Sequence, residues 1–126
     1  MKFILIVGAG GFVGSITRYL LADAVQANVL TSFPFGTMTV NIIGCFIIGV
    51  TYALSDLTNL APELRILIAT GFCGGFTTFS SFSYETFALL QDEQLLYSGL
   101  YAAGSLFLGL MAAFAGVLLI RYLLSP

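Results

Sequence analysis

Residues 70–83 read TGFCGGFTTFSSFS, and these 14 positions hold three Gly, six Ser/Thr, four Phe and one Cys. They lie inside an apolar run from Leu64 to Leu90. A helix that meets only lipid has no use for six hydroxyls. Gly71, Gly74 and Gly75 each lower helix propensity by about 1 kcal/mol. Interrupted backbone at membrane depth is tolerated only where it is buried in protein or lines a cavity. The stretch therefore predicts a span that breaks near Gly74–Thr77 and uses its freed backbone. Carbonyl oxygens released there are hard ligands, suited to a hard cation such as Na+. A continuous helix, packed through its small residues with the hydroxyls bonded back to the preceding turn, is the competing reading.

The rest of the chain fits a membrane setting. It has 126 residues, 59% of them hydrophobic, with four Lys/Arg against six Asp/Glu. Mean hydropathy is +1.03. Ordinary soluble domains carry about 25% charged residues; this chain carries 8%, too few to cover a small wet surface. The absence of His removes most zinc chemistry and His general bases. A net charge of −2 without a basic run gives no footprint for nucleic acid. Cys45 and Cys73 sit in apolar stretches and read as small buried hydrophobes.

Crossing ~30 Å of hydrocarbon takes about 20 helical residues. Four runs qualify: Phe3–Ala22, Thr37–Leu54, Leu64–Leu90 and Tyr97–Ile120. Polar links punctuate them at 23–36, 55–63 and 91–94, the last short enough for a tight antiparallel hairpin. The expected architecture is one all-α membrane domain over 1–126 with four transmembrane helices, the third broken.

Two other readings of the N-terminus carry less. Ala22-Asp23-Ala24 resembles a signal-peptide cleavage site, but Arg18, Tyr19 and several glycines interrupt the run before it. Gly8, Gly10, Gly11 and Gly14 mimic a dinucleotide fingerprint. No acidic partner and no alternation of strands and helices follows. In a membrane, Gly10 and Gly14 form a small-xxx-small pair for close helix packing.

Four spans put both termini on one side with Lys2, Arg65 and Arg121, and Arg18 toward the other. The positive-inside rule places the termini in the cytoplasm, yet the bias is only two charges. Insertion both ways is open, and it permits an antiparallel homodimer.

Within the spans the polar groups are few. Phe72, Phe76, Phe79 and Phe82 recur at spacings of four, three and three, which is one helical face; a lipid-facing or core Phe stripe is the plainer alternative. Aromatic ring edges are electropositive, so such rings can greet an anion without binding it too tightly to leave. Asn41 brings two donors and an acceptor to the second span; its alternative role is glue between helices. Tyr101 and Ser105 share a face of the fourth span. Arg18 is costly inside a membrane; it either attracts anions or pairs with Glu85. These groups need a lipid-free place in common, which self-association supplies.

Three stretches, GGFVGSITRY (10–19), GTMTVNIIG (36–44) and GFCGGFTTFSSFSYE (71–85), resemble the motifs of the Fluc (CrcB) fluoride channels, and length, spans and motif order agree along essentially the whole chain. The resemblance implies a dual-topology antiparallel homodimer with two fluoride pores in a bacterial cytoplasmic (inner) membrane, serving passive fluoride export. It implies that Phe79 and Phe82 line the pores, that Asn41 is the pore asparagine, and that Arg18 matches the family's first-span arginine. Ser80, Ser81, Tyr101 and Ser105 match its hydroxyl track, and the carbonyls of Gly74 and Thr77 match its structural Na+ site. Ser81 stands where Thr is common, and Ser15 where Ala is usual. The implied partners are an inverted second copy and the lipid bilayer, with no nucleic acid and no other protein. The main rival is a small proton-coupled multidrug-type exporter, which needs a titratable carboxylate inside the membrane. A subunit without transport activity and a nucleotide enzyme are the others.

Overall fold

A computed structural model describes residues 1–124; residues 125–126, the end of the domain expected over 1–126, lie outside them. The described residues are all helical, without strands: α1 (Lys2–Ala27), α2 (Phe35–Leu57), α3 (Pro62–Arg65), a π-helical segment (Ile66–Phe72), α4 (Cys73–Phe76), α5 (Phe79–Gln91) and α6 (Leu95–Leu124). Four segments are long and apolar enough to cross a membrane: α1, α2, the composite Pro62–Gln91, and α6.

The helices overrun the apolar runs that announce them. α1 continues five residues past Ala22 and stops at Asn28, whose N–H bonds back to Val25 and Gln26 carbonyls. Hydrophobicity ends where lipid ends, whereas backbone hydrogen bonding continues until a residue turns out of the helix. The last link is 92–94, with Glu93 in the left-handed region at φ 59°. The Gln94 N–H closes this turn on the Leu89 carbonyl at 2.8 Å.

Contacts between links fix the up-and-down order. Lys2 Nζ meets Glu63 Oε1 at 2.7 Å, so the chain start and the second link share one end. Ser32 Oγ donates to Gln94 Oε1 at 2.5 Å, bringing the first and third links together at the other.

α2 packs along α6, and α1 packs on the π segment and α4. Glycines permit the second contact. A Cβ on Gly10 would lie 2.5 Å from the Leu67 carbonyl, and one on Gly14 would overlap the Phe72 carbonyl. Gly75 answers from the other side, against the backbone of Gly11. The N-terminal glycines are thus a packing seam, with Gly10 and Gly14 the buried residues of α1.

Between α4 and α5 the backbone of Thr77 and Thr78 is extended, at φ/ψ −87°/159° and −150°/122°. The composite segment changes neighbours there: its first half lies on α1, while α5 lies on α6. The single Phe face inferred from spacing therefore does not form. Phe72 and Phe76 stack at 5.2 Å, with Phe76 buried, whereas Phe79 is 79% exposed. The three- and four-residue rule holds only along an uninterrupted helix.

The interior is small. Its largest fully buried side chains are Tyr101, Phe76, Val40 and Cys73, and Thr37, Thr51 and Ser98 are buried too. Leu5, Phe12, Leu106 and Phe114 are among many exposed apolar residues, as expected of a surface solvated by lipid.

Candidate functional site

Asn41, on the second turn of α2, faces the extended Thr78. Its Nδ2 donates to the Thr78 carbonyl at 3.1 Å, and the Thr78 N–H donates to its Oδ1 at 2.8 Å. A peptide group outside a helix has lost its partners, and no water compensates at membrane depth. The side-chain amide supplies both, one donor and one acceptor, and keeps a second N–H in reserve.

Thr78 also caps α5. Its Oγ1 accepts the Ser81 N–H at 3.1 Å and lies 3.2 Å from the hydroxyls of Ser80 and Ser81. These bonds divert two amides from the ordinary helical ladder. A continuous helix would send the Thr78 N–H to Gly74 and the Ser81 N–H to Thr77. The Gly74 and Thr77 carbonyls are left without those partners. Five of the six hydroxyls of the stretch divide into two groups. Thr77 and Ser83 donate back to Cys73 and Phe79 carbonyls at 2.8 and 2.9 Å, while Thr78, Ser80 and Ser81 form one cluster.

One turn further along α5, Glu85 accepts two hydroxyls. Thr37 Oγ1 donates to Oε1 and the Tyr101 hydroxyl to Oε2, each at 2.7 Å. Tyr101 is fully buried and carries Phe82 against it, ring centroids 5.1 Å apart. Phe79 follows at 5.7 Å from Phe82. Ser105 Oγ is buried with no partner among the described residues.

Two cavities meet at this cluster. The larger, about 610 Å³, has Arg18, Asp23, Gln26, Thr37, Ser81 and Glu85 in its walls. The smaller, about 370 Å³, is bounded by Asn41, Thr77, Phe79, Phe82 and Ser105, with no charged residue in its lining. Thr78 belongs to both walls. Arg18 and Glu85 share the larger space without an ion pair; Lys2–Glu63 is the one ion pair among the described residues. Ser80 is exposed and joins the cluster through Thr78.

Residues 5–117 match the family described as CrcB-like protein, camphor resistance (CrcB). That match runs through all three quoted motifs and most of every membrane-length segment. The chain belongs to the CrcB family. It is 54% identical over 119 residues to a protein of Prosthecochloris aestuarii, covering 94% of this chain and 92% of the relative. A protein of Chlorobaculum tepidum is 53% identical over 122 residues, 96% of each chain. One from Thermus thermophilus is 50% identical over 116 residues, 92% of this chain and 93% of the relative. All three relatives bear the name fluoride-specific ion channel FluC.

In this CrcB chain, Asn41, Thr77, Phe79, Phe82 and Ser105 gather around the smaller cavity, Arg18 and Ser81 around the larger, and Tyr101 between Phe82 and Glu85. Gly74 lies in the turn before, away from both linings. The sequence alone assigns no site role to Thr37 or Thr78 and gives Glu85 only a partnership with Arg18. One signal was available for Thr78: Thr is a favoured N-cap residue at a helix start. Nothing local marks the hydroxyls on Glu85, because they arrive from α2 and α6.

Proposed function

We propose that this protein is a fluoride-selective channel that lets the anion leave the cytoplasm passively and so lowers cytoplasmic fluoride. The observation that carries the reading is an uncharged cavity that shares Thr78 in its wall with a vestibule containing Arg18. The relatives' shared name supports it. Arg18 draws the anion into the wide, hydrated space. Beyond Thr78 the ion exchanges water for neutral donors: the hydroxyls of Ser80, Ser81 and Ser105, the spare Asn41 N–H, and the ring edges of Phe79 and Phe82. Tyr101 belongs to the same track and supports the Phe82 ring. Neutral donors make entry favourable while leaving exit easy. Narrow spacing selects the small halide over chloride.

The working unit in this reading is an antiparallel homodimer with two pores, in a bacterial cytoplasmic (inner) membrane. Phe79 is largely exposed in one chain, and a second, inverted copy would complete the lining around it. The bias of only two basic charges, Lys2, Arg65 and Arg121 against Arg18, suits insertion both ways. The interruption at Thr77–Thr78 is the third-helix break at membrane depth. The Gly74 and Thr77 carbonyls, relieved of their helical amides, fit a hard monovalent cation. Among the described residues no cluster of three or more His, Cys, Asp or Glu competes for a metal. Na+ held there would supply a fixed positive charge that ties the two copies together.

The proton-coupled exporter rests on one observation, a membrane carboxylate, Glu85, on a cavity wall. Efflux from liposomes separates the two. The channel predicts fluoride release that persists when a protonophore collapses the pH gradient, with chloride retained. Release that stops with the gradient selects the exporter, and fluoride retention by well-inserted protein overturns the channel.

A further inference from the structure

Gln26 lies near the end of α1, beyond the run that reads as membrane-spanning, and the pathway just described gives it no role. Its side chain nevertheless makes three hydrogen bonds to backbone of the next segments. Nε2 donates to the Thr31 and Phe33 carbonyls, both at 3.2 Å, and Oε1 accepts the Gly36 N–H at 3.1 Å. The last of these is a cap supplied from another helix. α2 begins after Pro34, whose side chain caps nothing; the Phe35 N–H finds the Phe33 carbonyl at 2.9 Å, and the next amide, that of Gly36, takes its acceptor from Gln26. Gly36 also lies so close to α1 that a Cβ there would overlap the Ala22 carbonyl.

Two of the three groups that Gln26 holds, Gly36 and Phe33, lead to Glu85 through one neighbour each. Gly36 precedes Thr37, which donates to one carboxylate oxygen. Phe33 sets its ring edge-on to Tyr101, centroids 5.6 Å apart at 76°, and Tyr101 donates to the other oxygen. Gln26 itself stands in the vestibule wall with Arg18 and Glu85. We infer that Gln26 is a positioning residue: it locks the 28–34 link and the start of α2 onto α1, and thereby holds the Thr37 and Tyr101 hydroxyls on Glu85 at the vestibule floor. Its consequence for transport rests on the fluoride-channel reading; the hold on α2 does not.

The test substitutes Gln26→Met, which keeps length and loses the hydrogen bonds, and Gln26→Glu, which keeps only the acceptor for Gly36. Hydrogen exchange in lipid nanodiscs should show 28–37 exchanging about tenfold faster in Gln26→Met, the scale of one net hydrogen bond, and less so in Gln26→Glu. The rest of the chain should be unaffected, which separates a local hold from general unfolding. Fluoride flux per inserted protein should fall about five- to tenfold in Gln26→Met. In a Thr37→Val background the same change should cost less than about twofold, because groups acting through one another are not additive. Unchanged exchange at 28–37, unchanged flux, or fully multiplicative effects with Thr37→Val would each overturn the assignment. If the parent protein carries no fluoride, the channel reading fails, and the exchange arm alone decides whether Gln26 holds α2.

Discussion

Asn41 does two jobs with one amide. It satisfies the exposed peptide of Thr78, and it has one N–H left for the smaller cavity it lines. Asn41→Asp keeps the acceptor for the Thr78 N–H but sets a carboxylate oxygen against the Thr78 carbonyl. Fluoride flux should drop about 10- to 100-fold, read with a fluoride electrode on liposomes of matched protein content; flux within twofold of the parent would remove Asn41 from the path. Much of this site is visible in sequence for a simple reason. Polar groups are expensive in apolar runs, so Arg18, Asn41, Ser81 and Ser105 stand out by type alone. Thr78 does not stand out from Thr77. Which of the two turns its amide outward is decided by Asn41, 37 residues away, and no local pattern encodes that. Glu85 is hidden for the same reason: one of its partners, Thr37, lies 48 residues away.

At the scale of elements, apolar run length locates the four spans but not their ends. α1 and α2 both run past their hydrophobic stretches because capping, not lipid, stops a helix. Periodicity gives a Phe stripe that the extended Thr77–Thr78 backbone divides. The π segment Ile66–Phe72 leaves no signature in the apolar pattern; it packs on α1 across the glycine seam. That seam is directly testable. A methyl on Gly14 meets the Phe72 carbonyl and the Phe76 amide nitrogen, backbone atoms that cannot turn aside. Gly14→Ala should cost about 1–3 kcal/mol, seen as a lower midpoint in thermal unfolding of the detergent-solubilised protein. Gly8→Ala serves as the control, because a Cβ there meets nothing within 4 Å; equal loss in both would contradict the seam.

For the whole molecule, the composition dictates the solvent. Ten charges on 126 residues leave lipid to cover the exposed Leu, Ile and Phe, while Thr37, Asn41, Thr78, Ser81, Glu85 and Tyr101 gather in one hydrogen-bonded region. What composition cannot dictate is how a second copy completes that place. The proposed inverted dimer makes a plain forecast: membrane-impermeant labelling of tags at each terminus should mark both from both sides of the membrane in comparable amounts. Labelling from one side only would rule out dual insertion.

In the proposed channel, uncharged groups, with the ring edges of Phe79 and Phe82 among them, carry the anion onward from the vestibule. Fluoride efflux from liposomes containing Phe82→Ile, or Phe79→Ile, tests it most directly, with size-exclusion chromatography confirming that the protein remains assembled. The expected result is efflux no faster than from protein-free vesicles, the apolar volume being kept and the ring edge lost. Efflux at the parent rate in both variants would contradict the account.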